Sequence, residues 1–193
     1  MTMRDETKRP EERDGFRFRG GHNALDLTAT LAARLKPVPR ERLAMPADLG
    51  RWFVAAGIVP SAPDVEVKDL EEARALREGI FAVSSARLSG EDAPSARKLL
   101  NDIAAKPSSV PQLDANAAIK FDGTVSALLS TVAREAILLL GGPQAGRVRQ
   151  CESATCTIFF LDTSRAGDRR WCSMAGCGNQ AKVREFRRRK AAS

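Results

Sequence analysis

The chain of 193 residues is 43% hydrophobic and 28% charged, which suits one globular domain with a small appendage and excludes both wholesale disorder and three separate cores. No apolar run reaches the roughly 18 residues of a spanning helix, so no membrane partner is expected. The opening MTMRDETKRPEERDG offers no apolar stretch for a secretory signal, and a cytoplasmic location is the default expectation. The net charge of +7 is unevenly spread: residues 147–193 hold 11 basic and 4 acidic side chains, leaving 20 of each in the first 146. A neutral body carrying a cationic module is a pattern expected of nucleic-acid binders.

Residues 1–14 alternate in charge without periodicity and read as a disordered tail. Phe16 to Arg19 alternates apolar and basic, as a short half-buried strand does, and Gly20-Gly21 ends it. The next stretch fits two periods: Leu25, Leu27, Ala29 and Leu31 suit a strand, whereas Ala24, Leu27, Leu31 and Leu35 suit a helix face. Pro46 is well placed in a first helical turn, and the helix it opens buries Leu49, Trp52, Phe53 and Ala56 before Gly57 stops it. A longer helix is expected with Asp69 as its cap and Leu70, Ala73, Leu76, Ile80 and Val83 on its buried face, ending near Ser89-Gly90. Asp92 is the expected cap of a short helix carrying Leu99, Leu100 and Ile103. Residues 107–121, with two prolines, suit a loop or small hairpin. The clearest stripe is Val125, Leu128, Leu129, Val132, Ala136, Leu139 and Leu140, terminated by Gly141-Gly142-Pro143. These elements predict an α+β fold: a mainly helical body over 15–143 with a few short strands, then a small module over 147–193.

All four cysteines lie in that module. Cys151 and Cys156 have four residues between them, as do Cys172 and Cys177, and fifteen residues separate the two pairs. Two short loops that each present a pair of thiolates match tetrahedral zinc, and four protein ligands leave no open position for water, so one structural Zn2+ is expected. Disulfides would need an oxidising compartment, and an iron–sulfur cluster also accepts four thiolates. Between the pairs, β-branched and aromatic Thr157 to Leu161 followed by polar Asp162 to Arg170 predict strand, turn and return strand. So small a module cannot bury enough apolar surface alone, and metal should supply most of its stability. Arg149, Arg169 and Arg170 are near enough in sequence to offset the negative charge of the bound thiolates.

Six of the nine residues from Lys182 to Lys190 are basic. As a helix, this segment puts Val183 and Phe186 on one face, expected to pack against the zinc knuckle, with its cations outward. Lys182, Arg184, Arg187, Arg188, Arg189 and Lys190, together with Arg165, Arg169 and Arg170, are the candidate nucleic-acid contacts, because the arginine fork pairs with phosphates and guanine edges. Double-stranded DNA is favoured over single-stranded RNA: Trp171, Phe159 and Phe160 read as hairpin core, not as base-stacking platforms.

The run CESATC, FFLDTSR, RRWCSMAGCGN and the arginines beyond it closely resembles the CGNR-type zinc finger, a treble-clef-like module. The body is similar to the ABATE domain that precedes such fingers in bacterial proteins, through GGHNALDLTAT, MPADLGRWFVAAGIV and a long helix at Glu72 to Leu88. The resemblance implies a stress-induced transcription regulator whose zinc module contacts DNA and whose body senses or dimerises, with Cys151, Cys156, Cys172 and Cys177 as ligands. The motif's Arg after Gly-Asn is Gln180 here, so one charge is missing.

Three function classes compete. The first is the DNA-binding regulator, as a homodimer with a small-molecule effector; His22, Asn23 and Asp26 beside Gly20-Gly21 are the ligand candidates, with capping and turning of the chain as the favoured alternative for them. The second is a protein-interaction or RNA-associated adaptor using the same basic module. Catalysis is not expected: one His, no Tyr, no thiol outside the zinc set and no phosphate-cradling glycine loop leave few nucleophiles or bases.

Overall fold

In the computed structural model, which describes residues 11–117 and 119–191, a two-residue turn sets the first element. Asp14 and Gly15 both take positive φ, 48° and 76°, as the central pair of a type I′ hairpin turn does. They join β1 (Glu12–Arg13) to β2 (Phe16–Arg17), with Arg13 opposite Phe16. The expected tail is therefore shorter at its end than its charge pattern predicts, because an Asp-Gly pair outweighs the lack of periodicity. The rest of that tail, residues 1–10, lies outside the described residues.

The ambiguous stretch uses both periods in succession. It is helical in α1 (Asn23–Thr28), then extended in β3 (Leu31–Ala32), which pairs antiparallel with β4 (Arg40–Glu41). His22 caps α1 by accepting from the backbone N–H of Ala24 at 3.3 Å. Asp26, buried in the same helix, accepts from the N–H of Gly20 at 2.7 Å. A Cβ at Gly20 would stand 2.8 Å from that of Leu25 and 2.9 Å from the Asp26 carboxylate, so the chain can pass here only as glycine.

The body's frame is α2 (Pro46–Ala56), α3 (Val67–Ser89), α4 (Pro94–Ala104) and α5 (Val125–Gly141). α3 is central and touches α1, α2, α4 and α5. Its buried face (Leu70, Ala73, Leu76, Ile80) meets Trp52 and Phe53 of α2, Leu100 and Ile103 of α4, and Leu128, Leu129 and Val132 of α5. α3 begins before the expected Asp69 cap. Glu66 is the cap, and Asp69, three residues on, accepts from its N–H at 2.9 Å, reciprocating as in a capping box. Similarly Asp92 stands one residue before the true cap of α4, Ala93, and accepts from its N–H at 2.8 Å. The segment before α5 is a hairpin, β5 (Val110–Leu113) with β6 (Ile119–Asp122). Buried Arg77 of α3 pairs with Glu41 at 2.7 Å and Glu78 at 2.8 Å, tying β4 to the bundle.

After α5, the 3-10 turn Ala145–Arg147 leads into β7 (Val148–Gln150), which pairs with β8 (Phe159–Leu161); α6 (Asn179–Ala191) follows the π turn Met174–Gly178. The change of composition at 143–146 does not mark a gap in the packing. Leu25 of α1 and Leu139 and Leu140 of α5 form one buried cluster with Val148, Phe159 and Leu161. Phe81 meets Phe159 edge-on at 5.1 Å between ring centres, and the Leu161 N–H donates to Gly20 O at 2.8 Å. A buried side chain of this size contributes about 1.5–3 kcal/mol, so the C-terminal module is seated on the body and not tethered to it.

Candidate metal centre

The first cysteine pair occupies the loop of the β7–β8 hairpin. Cys151 extends the ladder by one bond, its N–H donating to Ile158 O at 3.0 Å, and Cys156 N–H closes the turn onto Ser153 O at 2.9 Å. This corrects the expected hairpin within residues 157–171: β8 pairs backward with β7, and no return strand follows. Asp162 is the reason. Fully buried, it accepts from the N–H groups of Ser164 and Arg169, both at 2.9 Å, and so folds residues 162–169 into a loop. Arg147 braces that loop on the carbonyls of Asp162 and Ser164, and Arg149 on that of Gly167 at 2.7 Å. The Glu152 N–H then donates to Arg170 O at 3.0 Å and brings Cys172 back beside the first pair. Ser173, also buried, accepts from Gly176 N–H at 3.1 Å and shapes the turn that presents Cys177 and starts α6.

All four cysteines are free, and their sulfur atoms lie within 4.8 Å of one another. Cys172 Sγ is 3.8 Å from those of Cys156 and Cys177. Sulfurs bound tetrahedrally at about 2.3 Å from a zinc ion stand about 3.8 Å apart, whereas a disulfide needs about 2.05 Å. The acid–base balance agrees. The Cys151 thiol is held down to about 2 by hydrogen bonds from Cys156 and Cys172. Cys156 is pushed up to about 12, chiefly by Cys151, and Cys172 is raised by both neighbours and by burial. Crowding thus favours the thiolate at Cys151 and opposes it at Cys156 and Cys172; a divalent cation is the partner that would let these neighbours be thiolates together. Ala29, Ile158 and Phe160 close over the sulfurs from the apolar side.

The predicted cationic residues divide into two groups. Lys182, Arg184, Arg187, Arg188, Arg189 and Lys190 on α6 and Arg165 in the Asp162 loop are exposed. On α6, Glu185 pairs with Arg188 at 2.8 Å and Arg189 at 3.6 Å. Arg169 is instead half-buried against Phe160 and donates to the carbonyls of Trp171 and Cys172, so it alone of the three expected neighbours reaches the ligand backbone. Arg149 turns to Gly167, and Arg170 lies over Trp171 and pairs with Glu152 at 2.5 Å. Val183 and Phe186 do not pack on the knuckle: they are 48% and 64% exposed. Ala181 and Glu185, one turn apart, are the half-buried positions of α6 among the described residues and line a groove with Arg170 and Trp171. His22, Asn23 and Asp26 lie at the start of α1, where His22 and Asp26 cap and turn the chain.

Residues 21–143 match the ABATE family model, described as "Putative stress-induced transcription regulator". The chain belongs to the ABATE family. Behind its ABATE body, residues 147–190 match the CGNR zinc finger, so both resemblances hold in the order expected. Neither is an enzyme family. None of the curated proteins compared with the ABATE chain matches it. With the finger family and the four gathered sulfurs agreeing, Cys151, Cys156, Cys172 and Cys177 fit one structural zinc ion, which when bound supplies rigidity and no open coordination position. Among the described residues no helix is long and apolar enough to cross a membrane.

Proposed function

We propose that the protein is a cytoplasmic, zinc-dependent DNA-binding transcription regulator in which α6 lies against the duplex and the ABATE body senses a signal or dimerises. One observation carries this reading: Lys182, Arg184, Arg187 and Lys190 stand exposed, without an ion pair among the described residues, on a helix that follows directly on the π turn holding the metal ligand Cys177. Loaded with zinc, Cys177 fixes the start of α6, so its guanidinium groups are presented from a rigid base and lose little freedom on binding. Arginine forks pair bidentately with phosphates or with guanine edges in a major groove. A single-stranded target is less well served, since Phe159 and Phe160 are fully buried and Arg170 covers Trp171.

The test is duplex selection from a random pool with zinc-loaded protein, followed by the double variant Arg184→Glu/Arg187→Glu. Enrichment of one sequence and a loss of about 100-fold in affinity, with zinc content unchanged, is the expected result. A variant that binds DNA as tightly as the parent would remove α6 from the interface.

The adaptor reading rests on a different observation, the exposed Val183 and Phe186 on the same helix. Val183→Ser/Phe186→Ser should leave duplex affinity within about twofold if DNA is the target. Loss of a protein complex with DNA binding intact would favour the adaptor.

A further inference from the structure

The body as a whole is electrically neutral, yet its cations are not evenly matched. Most reach a partner: Arg34 bonds to Glu78, Arg51 to Asp14, Lys98 to Asp102, and Arg134 to the carbonyls of Ala104 and Lys106. The side chains of four, Arg17, Lys36, Arg40 and Arg42, make no salt bridge or hydrogen bond among the described residues, and all four line one cleft of about 490 Å3 between the body and the finger. The opposite wall holds Thr155 from the cysteine loop and Gln180 from α6.

Strand alternation produces this imbalance. Glu41 lies between Arg40 and Arg42 in sequence but points to the other side of β4, where it is held by Arg77 at 2.7 Å and Arg74 at 3.8 Å. Glu11 is engaged with Arg19 at 3.1 Å, and Glu12 stands across the ladder from Arg17. Arg42 feels the crowding. Its pKa lies below the usual guanidinium value, first through burial and then through repulsion from Arg40 and Arg17, with Glu12 opposing. Four like charges gathered in a half-open cleft cost stability in the free protein and attract a polyanion.

The positive face also continues past the cleft. On a helix, Arg184 and Arg187 follow Gln180 at four and seven residues and share its face. We propose that this cleft is the body's share of the nucleic-acid interface, in which Arg17, Lys36, Arg40 and Arg42 hold backbone phosphates of the same duplex that α6 contacts. The assignment rests on the DNA-binding reading above and extends it from the finger to the β2 and β3–β4 hairpins. A charge track that runs along α6 suits the repeating charge of a backbone, whereas a compact phosphorylated molecule would be satisfied by the cleft alone.

Duplex affinity of the full-length, zinc-loaded protein, measured across a salt series, tests it. The variant Arg17→Gln/Lys36→Gln/Arg40→Gln removes three exposed cations, and the slope of log K against log salt should flatten by about 2.7, with at least a tenfold loss of affinity. Gln180→Arg places a cation in the cleft and should steepen the slope by about 0.9; this gain guards against a triple variant that fails through misfolding, which zinc content and circular dichroism also report. Unchanged slopes in both variants, beside a loss in Arg184→Glu/Arg187→Glu, would overturn the cleft assignment while leaving α6 as the DNA contact. A parent protein that binds no duplex at any salt would overturn both. Calorimetry with pyrophosphate supplies the remaining arm: binding that the triple variant loses while its duplex affinity is unchanged would assign the cleft to a free phosphorylated molecule instead.

Discussion

Two buried aspartates of the same molecule show how far local geometry decides a residue's chemistry. Asp26 is raised to about 7: burial disfavours its charge, and the backbone of Gly20, the more distant Arg13 and the backbone of Arg19 compensate only in part. Burial also opposes the charge of Asp162, but the donors from Ser164 and Arg169, with Arg149 beyond them, outweigh it and hold its pKa below the ordinary value. The consequences for stability are opposite. Asp162 contributes stability that is present above the usual carboxylate pKa of about 3.9 and lost as pH falls through its lower folded value. Between about 3.9 and 7, the folded chain keeps a proton on Asp26 that the unfolded chain has released, so this group's contribution declines as pH rises across that window. Asp26→Asn retains an oxygen to accept from Gly20 and abolishes the titration. In urea unfolding the variant should match the parent near pH 4 and exceed it at pH 8 by at most about 4 kcal/mol. A difference between variant and parent that does not change with pH would show that Asp26 is not buried as an acid. That Asp26 turns the chain was legible in the sequence beside Gly20-Gly21, and the structure bears it out; its raised pKa and the part played by Asp162 were not. Asp162 stands inside a recognisable motif, but what it does depends on where the chain returns at Arg169.

Elements were readable in proportion to how local their signals are. α2 opens at Pro46 and stops at Gly57 as expected, and the stripe of α5 runs to the glycines that end it. α3 is capped by Glu66, three residues before the cap its sequence suggests, because an acid three residues into a helix and an acid at its cap leave similar traces in sequence. The finger's hairpin pairs β8 with β7 and not with the segment after it: Thr157–Leu161 has strand character whichever neighbour it pairs with, and only the Asp162 loop excludes the forward one. α6 was legible as a basic helix, but not the face it presents. Its dependence on metal belongs at this scale. An isolated helix of 13 residues is marginal in water, so α6 persists because Cys177 and Ser173 shape the turn before it. Cys172→Ser removes a fully buried sulfur at the centre of the set. Stoichiometric zinc should be lost, and with it helical signal on the order of one such helix in far-ultraviolet circular dichroism. Zinc content equal to that of the parent would refute Cys172 as a ligand.

For the whole molecule, an averaged quantity concealed the main electrostatic feature. A body with equal numbers of acids and bases looks inert, yet Glu41 faces α3 while its neighbours Arg40 and Arg42 face the finger. Net charge cannot report a separation of sign across a single strand. The packing of the finger was likewise hidden: Leu25, Leu139 and Leu140 read as ordinary body residues, and only the folded chain shows that their neighbours are Val148, Phe159 and Leu161. A chain cut after Pro143 would leave those three leucine side chains, and Phe81, open to water. With each buried apolar side chain contributing about 1.5–3 kcal/mol, the truncated body should be several kcal/mol less stable than the full chain and prone to associate. Urea titration monitored by the fluorescence of buried Trp52 measures this. An unchanged midpoint would mean that the seam contributes little.

That seam bears on how such proteins can be recombined. A chimera made by splicing a relative's finger at Gly142–Gln144 would keep the host's α1 and α5 while importing foreign β7 and β8, so six side chains selected in different ancestors would have to interlock anew. Crossovers at this linker should therefore succeed only when the donor also matches the recipient at Leu25, Phe81, Leu139 and Leu140, and the two halves are expected to be inherited as a pair.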